Sequence, residues 1–221
     1  MNILEDKING IIWYNAKRCL DDNYMAEDKI ICDEVVQEMN TWMNPNIERF
    51  ITDENLGTFM LEESWGRGYE DFFFGLVDGK LATTLILANN HGFPVSSLID
   101  HMFIASKLDD RVLESKKVLS FEDTRRLVDN NRANIPSLYV NFLVVNPDMQ
   151  GRGIGTKSLK SLDDFRLFFV GDKEYNSMYA TINQNNIASR KAFERNGYLG
   201  ILRKDADEPR QYPFDDYFKV M

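Results

Sequence analysis

The chain has 221 residues, of which 43% are hydrophobic and 28% are charged, and it contains only 6 Pro and 13 Gly. This composition excludes collagen-like, low-complexity and wholly disordered chains, and it is typical of one large globular domain or of a domain with additions. The 35 acidic residues outnumber the 26 basic ones, and the formal net charge is −9. Because a phosphate backbone requires the opposite sign, we expect no nucleic-acid partner.

Neither a disulfide framework nor a metal site is predicted. The cysteines, Cys19 and Cys32, lack CxxC and Cys/His ligand spacing, which favours a reducing compartment. No stretch approaches the roughly 18 apolar residues of a membrane span, and the first ten residues are too polar for a signal peptide. We therefore expect no membrane partner and a cytoplasmic location.

The first 65 residues are predicted to form a helical N-terminal extension. Apolar side chains recur there at helical intervals, at Ile8, Ile11, Ile12, Ala16, Ile31, Val35, Val36 and Met39. The pattern predicts two or three helices, which end before Asn44-Pro45-Asn46. No element is predicted from there to Tyr69.

A hairpin and a probable insertion follow. Asp78-Gly79 lies between two β-prone runs, and this dipeptide is a strong signal for a two-residue hairpin turn over 72–87. Residues 89–136 have helix-compatible patches at 97–108 and 121–128, and they are predicted to form a helical insertion.

The order of elements from residue 137 to residue 200 favours an α/β arrangement. A strand is predicted at 138–145 and another at 177–182, with a helix between them that carries an apolar stripe. A short helix at 186–195 ends at Asn196-Gly197, which suits a left-handed C-terminal cap. Strands at 197–202 and 216–220 could then close the sheet.

The turn between the first of these strands and its helix has glycines at alternate positions, Gly151, Gly153 and Gly155. Such a turn leaves backbone N–H groups directed at an anion near the helix N-terminus, so a phosphate-bearing ligand is predicted. A Walker loop is excluded because Thr156 stands where Lys should. A dinucleotide fingerprint is excluded because neither Thr156 nor Ser158 supplies its third glycine or alanine.

Two blocks of the sequence resemble the GNAT superfamily of N-acetyltransferases. Residues 145–155, Val-Asn-Pro-Asp-Met-Gln-Gly-Arg-Gly-Ile-Gly, are similar to its acetyl-CoA loop, Gln/Arg-x-x-Gly-x-Gly/Ala after a strand ending in Val-x-Pro. Residues 186–198, Asn-Ile-Ala-Ser-Arg-Lys-Ala-Phe-Glu-Arg-Asn-Gly-Tyr, resemble the family's second block, Asn-x-x-Ala/Ser followed by an aromatic residue and Gly-Phe/Tyr. The resemblance covers residues 139–198 and extends to the 72–87 hairpin.

The resemblance implies a mixed α/β (α+β) GNAT fold over a single domain, residues 1–221, with 137–200 as the acetyl-CoA-binding core. Its central twisted mixed sheet is flanked by helices, and the 138–145 and 177–182 strands start parallel and splay apart. The N-terminal helices and the helical insertion are additions to that fold.

By the same resemblance, the pantetheine arm of acetyl-CoA pairs with the backbone of Leu143 and Val145, and the pyrophosphate lies on the amides of 151–156. Asn186 hydrogen-bonds the arm, and the amide near Leu143 polarises the thioester carbonyl. The cofactor-binding residues implied are Leu143, Val145, Gln150, Gly151, Arg152, Gly153, Ile154, Gly155, Thr156, Asn186, Ser189 and Phe193. Gln150 either contacts the phosphates or caps the turn, and Arg152 is expected to be exposed.

Both usual catalytic side chains of the family are missing. Tyr139 stands at a frequent general-base Glu position, and Phe193 stands where many members have a Tyr that protonates the thiolate. A tyrosine of ordinary pKa is a poor base at neutral pH, and Phe193 has no proton to give. Tyr198 is the catalytic candidate that remains, with Ser189 as the other nearby hydroxyl. The remaining candidates, His91, His101, Glu62 and Glu63, are expected to be surface or capping residues.

The predicted function is transfer of an acetyl group from acetyl-CoA to a primary amine of a small molecule or peptide, without a metal. Two alternatives stay open: a non-catalytic acyl-CoA-binding interaction module, and an acyltransferase with another acyl group or an oxygen nucleophile. The excess of acidic over basic residues favours a cationic acceptor. The acidic residues include Asp71, Asp215 and Asp216 near predicted sheet ends. A homodimer is expected because dimers are common among proteins resembling this one.

Overall fold

The computed structural model describes residues 2–15, 34–35, 37–38, 41–42, 70–88, 92–202 and 214–221. The chain divides into two compact units. The first unit consists of Met1–Asn89 and Val140–Lys173, and the second consists of Asn90–Tyr139 and Glu174–Met221. Both combine strands with helices.

The described strands are β1 (Asn2–Asp6), β2 (Ile11–Asn15), β3 (Glu70–Val77), β4 (Lys80–Ala88), β5 (Gly92–Pro94), β6 (Asn134–Val145), β7 (Ser177–Asn183), β8 (Leu199–Ile201) and β9 (Phe214–Val220). The described helices are α1 (Val95–Ala105), α2 (Asp110–Ser115), α3 (Phe121–Asn130), α4 (Ile154–Asp164), α5 (Arg166–Val170) and α6 (Ile187–Arg195). A 3-10 turn at Pro147–Met149 follows β6.

The first unit contains an antiparallel meander in the order β1-β2-β3-β4, and β4 pairs with β6. Its core is aromatic. The Trp13 and Phe73 rings both meet Phe169 edge-on, with ring centroids 5.3 and 4.9 Å apart. Phe169 lies in α5, so these contacts hold the short helix against the sheet.

The predicted β3–β4 hairpin is confirmed. Asp78 and Gly79 both have positive φ, 52° and 72°, and Val77 pairs with Lys80. These angles define the turn type whose twist matches that of the flanking strands, and they are the reason that Asp-Gly is a hairpin signal.

The predicted helix at the N-terminus is wrong for residues 2–15, which form the β1–β2 hairpin. In β2, Ile11 and Trp13 are buried while Ile12 is exposed, which is the two-residue period of a strand. Ile8 lies in the turn and is 74% exposed, so its helical spacing from Ile11 and Ile12 is coincidental. Later in the extension, residues 34–35, 37–38 and 41–42 are helical, as predicted.

A buried carboxylate fixes the turn between β1 and β2. Asp6 Oδ1 accepts hydrogen bonds from the N–H groups of Ile8 and Asn9, at 3.1 and 2.9 Å. Asp6 Oδ2 accepts from Asn9 Nδ2 at 2.7 Å and from Ser161 Oγ. Since Ser161 lies in α4, this carboxylate ties the N-terminal hairpin to that helix. Burial raises the pKa of Asp6, but the hydrogen bonds from Ser161, Asn9 and Ile8 outweigh it and lower the pKa below 3.8.

The second unit contains a mixed sheet. The first half of β6 pairs antiparallel with β5 and parallel with β7, at Ser137↔Ser177 through Tyr139↔Tyr179. On its other edge β7 pairs antiparallel with β9, which pairs antiparallel with β8. The predicted parallel start of the two strands is therefore confirmed.

Residues 95–130 carry the helices that the sequence predicted for the insertion, and these helices close the core of the second unit. One apolar cluster combines residues of α1 and its flanking segments with residues of the sheet: Phe93, Val95, Leu98, Leu119, Ile135, Ile201 and Phe218. The segment also supplies β5, a strand that the sequence did not predict. Gly92 is required there because a Cβ would lie 2.5 Å from the Cβ of Asn134 on the paired strand.

Candidate functional site

In the first unit, side chains of β4 and the residue after β6 fix the end of the strand that leads into the glycine turn. Asn146 N–H donates to Ala82 O, and Asn146 Nδ2 donates to Leu81 O, each at 2.9 Å. Asn146 Oδ1 accepts from Asp148 N–H at 3.0 Å and caps the 3-10 turn. Thr83 Oγ1 donates to Val144 O at 2.9 Å.

These bonds set the direction of the backbone groups at the end of β6. Because backbone groups alternate sides along a strand, those of 144 and 146 face β4 and those of Leu143 and Val145 face away from it. The predicted pairing positions thus present their backbone on the side away from β4. Gln150 Nε2 donates to Val145 O at 3.4 Å, so this side chain caps the turn as the structure stands.

The glycine turn has the backbone conformation that the pattern predicted. Gly151 and Gly153 have φ of 78° and 75°, a region that L-residues with a side chain rarely adopt. Gly153 is the N-cap of α4, and no side chain caps the helix there. A Cβ on either glycine would meet no atom within 4 Å, so the surface over the turn is open.

Backbone N–H groups at the start of α4 are directed at this open surface. The helix makes its first bond from Lys157 N–H to Gly153 O, at 3.0 Å. The N–H groups of Ile154 and Gly155 precede this bond and therefore have no partner within the helix, as at every helix N-terminus. Ile154 is buried against Ala82 and Met149 and anchors the turn to the sheet. The arrangement offers converging donors and a favourable dipole to an anion.

Charged and hydroxyl groups line the turn. Arg152 is exposed, as predicted, and its nearest guanidinium nitrogen is 3.9 Å from Asp78 Oδ2 in an exposed ion pair. Such a pair is weak enough to open for a phosphate ligand. Gly155 and Thr156 are half-buried in the first turn of α4.

In the second unit, Asn186 is the N-cap of α6. Its Oδ1 accepts a hydrogen bond from Ser189 N–H at 3.0 Å. Because the cap uses the oxygen, the Nδ2 group is what Asn186 can offer to a ligand. Arg190 Nε donates to the Tyr217 hydroxyl at 2.7 Å, which holds α6 on β9.

Phe193 and Tyr198 pack into the core of the second unit. Their rings meet edge-on with centroids 4.8 Å apart, and they are 2% and 1% exposed. The Tyr198 hydroxyl donates to Met178 Sδ at 3.6 Å. This contact favours a packing role for Tyr198 over the role of an acid.

Tyr139 lies beside a second tyrosine that the sequence did not single out. Its ring stacks on that of Tyr179, with centroids 4.6 Å apart and an interplanar angle of 25°. Burial, then Tyr139 and then Asp216, raises the pKa of Tyr179 to about 12. Tyr179 therefore keeps its proton at neutral pH. Cross-strand pairing brings these residues together, and the linear sequence carries no signal for it.

His101 is buried completely, contrary to its expected place at the surface. Its Nε2 is 2.8 Å from Leu119 O, and its Nδ1 accepts from Leu202 N–H at 2.8 Å. Both ring nitrogens are thus used by backbone groups, which makes His101 a structural residue.

Several predicted candidates cannot be placed: Cys19, Cys32, Glu62, Glu63 and His91 lie outside the described residues. Within the described part of the chain, no group of three or more His, Cys, Asp or Glu side chains could hold a metal ion. No described helix combines the length and the apolar character needed to cross a membrane.

Residues 124–198 match the sequence model of the Acetyltransferase (GNAT) family. The structure is similar to that of RimL, the ribosomal L7/L12 alpha-N-protein acetyltransferase, in complex with coenzyme A. The TM-score is 0.50 at 12% identity, over 100% of this chain and 98% of that one. It is also similar to an acetyltransferase from Streptococcus agalactiae 2603, with a TM-score of 0.51 at 11% identity over 96% and 99% of the two chains. No curated protein sequence matches the chain.

The mixed sheet and helices match those of solved acetyltransferase structures, and the predicted α/β fold class is confirmed. Residues 124–198 match the GNAT acetyltransferase family, and this match together with the fold indicates an acyltransferase enzyme.

Proposed function

We propose that the protein transfers an acetyl group from acetyl-CoA to a primary amine of a small molecule or peptide. The observation that carries the proposal is the turn at Gly151 and Gly153, whose left-handed glycines leave the N-terminus of α4 open to an anion. A pyrophosphate is an anion of the kind that such a turn binds. The similarity to a structure that contains coenzyme A supports the same ligand.

The residues around this turn fit acetyl-CoA. Amides of 151–156 would hold the pyrophosphate, with Arg152 able to leave Asp78 for a phosphate oxygen. The backbone of Leu143 and Val145 would pair with the pantetheine arm once Gln150 releases Val145 O. Ile154, Gly155 and Thr156 complete the cofactor residues proposed in the first unit. Asn186, Ser189 and Phe193 of the second unit stay predictions of the family resemblance. When bound, acetyl-CoA supplies an acetyl group activated as a thioester.

The protein's own contribution is positioning. The Leu143 amide would donate to the thioester carbonyl as negative charge develops on it. Phe193 has no proton to give, and the raised pKa of Tyr179 makes this phenol a poor base. We therefore propose that solvent carries the protons and that orientation of the amine supplies most of the rate enhancement.

One observation favours a second candidate function. Tyr139 and Phe193 replace both usual catalytic side chains, as an acyl-CoA-binding module without turnover would allow. Such a module would bind acetyl-CoA but release no thiol when amines are added, whereas the proposed enzyme releases thiol in proportion to acetylated amine.

Ligand binding to the turn is tested by thermal unfolding with and without CoA. A ligand that binds only the folded protein raises Tm by mass action. Gly153→Asp should abolish the CoA-dependent rise, because it places a carboxylate at the phosphate position. The variant should still fold, since the new Cβ meets no atom and Asp tolerates positive φ.

The control is Gly153→Asn, which adds the same backbone strain and side-chain size without the charge. It should retain part of the CoA-dependent rise in Tm. Equal rises in the wild-type protein and in Gly153→Asp would contradict the assignment of the turn.

A further inference from the structure

Two adjacent threonines of β4, Thr83 and Thr84, are both completely buried but differ in what their hydroxyl groups contact. Successive side chains of a strand point to opposite faces of the sheet, so the two hydroxyls lie on different faces. The Thr84 hydroxyl has no hydrogen-bond partner among the described residues. The Thr83 hydroxyl donates to Val144 O of β6 at 2.9 Å, and a carbonyl oxygen can only accept, so the direction of this bond is fixed.

The packing around Thr83 holds its hydroxyl in this position. A Cβ on Gly75 of β3 would lie 2.9 Å from Thr83 Cγ2, so the methyl group of Thr83 fills the space over Gly75. The strands β3 and β6 flank β4 on opposite sides, and the hydroxyl is therefore left on the side of β6. Ser158 of α4 lies against it, with its Oγ 3.3 Å from Thr83 Oγ1. Because a β-branched side chain is stiff about χ1, these contacts fix one orientation of the hydroxyl.

The bond from Thr83 also sets the direction of the next backbone N–H. The peptide bond between Val144 and Val145 is trans, so its carbonyl oxygen and its N–H point in opposite directions. Since Val144 O faces β4, the N–H of Val145 faces away from β4. The following peptide is held in the same way, because Asn146 N–H donates to Ala82 O at 2.9 Å and Val145 O then faces away as well. Both backbone groups of Val145 are therefore held toward the side where the ligand arm would pair.

We propose that Thr83 is a positioning residue for acetyl-CoA. Its buried hydroxyl holds the peptide between Val144 and Val145, so that Val145 N–H is oriented to donate to the pantetheine arm before the arm arrives. A donor that is already in place binds a ligand more tightly, because no ordering of the backbone opposes binding. This role rests on the proposed function in taking acetyl-CoA as the ligand. It includes no contact of Thr83 with the ligand and no proton transfer.

The test measures how tightly the full chain binds two ligands, CoA and ADP, by calorimetric titration. Both ligands carry a pyrophosphate for the glycine turn, but only CoA has the pantetheine arm. Thr83→Val replaces the hydroxyl by a methyl group of similar size. It should raise the Kd of CoA about threefold to tenfold, as expected for one hydrogen bond, while the Kd of ADP changes less than about twofold. An unchanged Kd of CoA, or an equal rise for both ligands, would overturn the proposal.

Two matched variants separate this effect from a loss of stability. Thr83→Ser keeps the hydroxyl and removes the methyl group, so its Tm should fall while its Kd for CoA stays within about twofold of the wild-type value. Thr84→Val makes the same change as Thr83→Val at the neighbouring buried position, where the structure gives the hydroxyl no partner among the described residues. It should leave both Kd values unchanged, since no hydrogen bond is lost. A Kd of CoA that rises as much in either control as in Thr83→Val would show a packing effect and overturn the proposal.

Amide hydrogen exchange in the ligand-free protein separates failure of this role from failure of the proposed function. If Thr83 holds the end of β6, the Asn146 amide should exchange at least about threefold faster in Thr83→Val than in the wild-type protein, and Thr84→Val should match the wild-type rate. Equal exchange rates in all three proteins would overturn the positioning role alone. A wild-type protein that binds neither CoA nor ADP would overturn the proposed function and with it the assignment of Thr83 to acetyl-CoA, even where the difference in exchange is present.

Discussion

His101 should make the stability of the protein depend on pH. The imidazole is fully buried in α1, and its two nitrogens are bonded to Leu119 O and Leu202 N–H. Accepting from Leu202 N–H requires an unprotonated Nδ1, so the folded protein holds His101 neutral. Protonation would place two N–H groups against each other in a buried site.

The lowered pKa of His101 determines whether the protein gains or loses stability as the pH falls. Burial lowers the pKa of His101 below its ordinary value of 6.5, and the hydrogen bond to Leu119 O opposes burial without cancelling it. The unfolded chain therefore binds more protons than the folded protein below about pH 6.5. The stabilisation is fully present above this pH and is lost as the pH falls toward the lowered native pKa. The slope can reach about 1.4 kcal/mol per pH unit for this one proton.

Replacing the His101 ring should also lower the free energy of unfolding at neutral pH. His101→Phe keeps the ring size but leaves Leu119 O and Leu202 N–H buried without these partners. Each unpaired buried group costs about 1–3 kcal/mol, so we expect a loss of about 2–6 kcal/mol at neutral pH. For a chain of this length the loss corresponds to a fall in Tm of roughly 4–24 °C.

Urea unfolding between about pH 8 and about pH 5 measures both quantities, because histidine titrates in this range and most carboxylates do not. The difference in unfolding free energy between wild type and His101→Phe should shrink as the pH falls. His91→Gln, which removes the other of the 2 histidines, is the control and should keep the wild-type slope. Parallel pH profiles for wild type and His101→Phe would refute the assignment of the titration to His101.

Three further predictions concern single side chains. Asp6→Asn should lower the unfolding free energy by about 2 kcal/mol in urea titrations, because an amide cannot accept from both Asn9 and Ser161 as the carboxylate does. An unchanged urea midpoint would contradict this role of Asp6. Phe193→Tyr should change kcat less than tenfold, since Phe193 is buried against Tyr198. A gain in kcat above tenfold in steady-state rates would show that a missing acid limits the enzyme. Tyr198→Phe should leave kcat unchanged in the same assay, because its hydroxyl is bonded to a core sulfur, and a loss above tenfold would restore Tyr198 as the acid.

The two hairpins of the first unit show what local sequence can and cannot predict. Asp78-Gly79 lies between two long β-prone runs and was predicted correctly. Asn9-Gly10 is an equally good turn pair, and Gly10 has φ of 71°, but its short flanking runs also fit a helical period. Pairing of β2 with β3, more than fifty residues away, decides between the two patterns, and that pairing is not encoded locally.

The candidate site also has some features that local sequence predicts and others that it does not. The glycine turn depends on neighbouring residues, so motif and spacing predicted its conformation. The Asn186 cap is also a local contact, but the sequence analysis did not predict it. The partners of His101 are 18 and 101 residues away, and Tyr179 meets Tyr139 only through the β6–β7 register. Such contacts depend on the pairing of strands that are distant in the chain, and the amino-acid sequence of a single protein does not predict that pairing.

Acetyl transfer is measured as thiol release from acetyl-CoA with a panel of cationic, neutral and anionic amines, with the acetylated product identified by mass. We expect the wild-type protein to release thiol in equal amount to product for at least one cationic amine, and Gly153→Asp to lose this activity. Binding of acetyl-CoA without release for any amine would contradict the proposed enzyme and support the non-catalytic module.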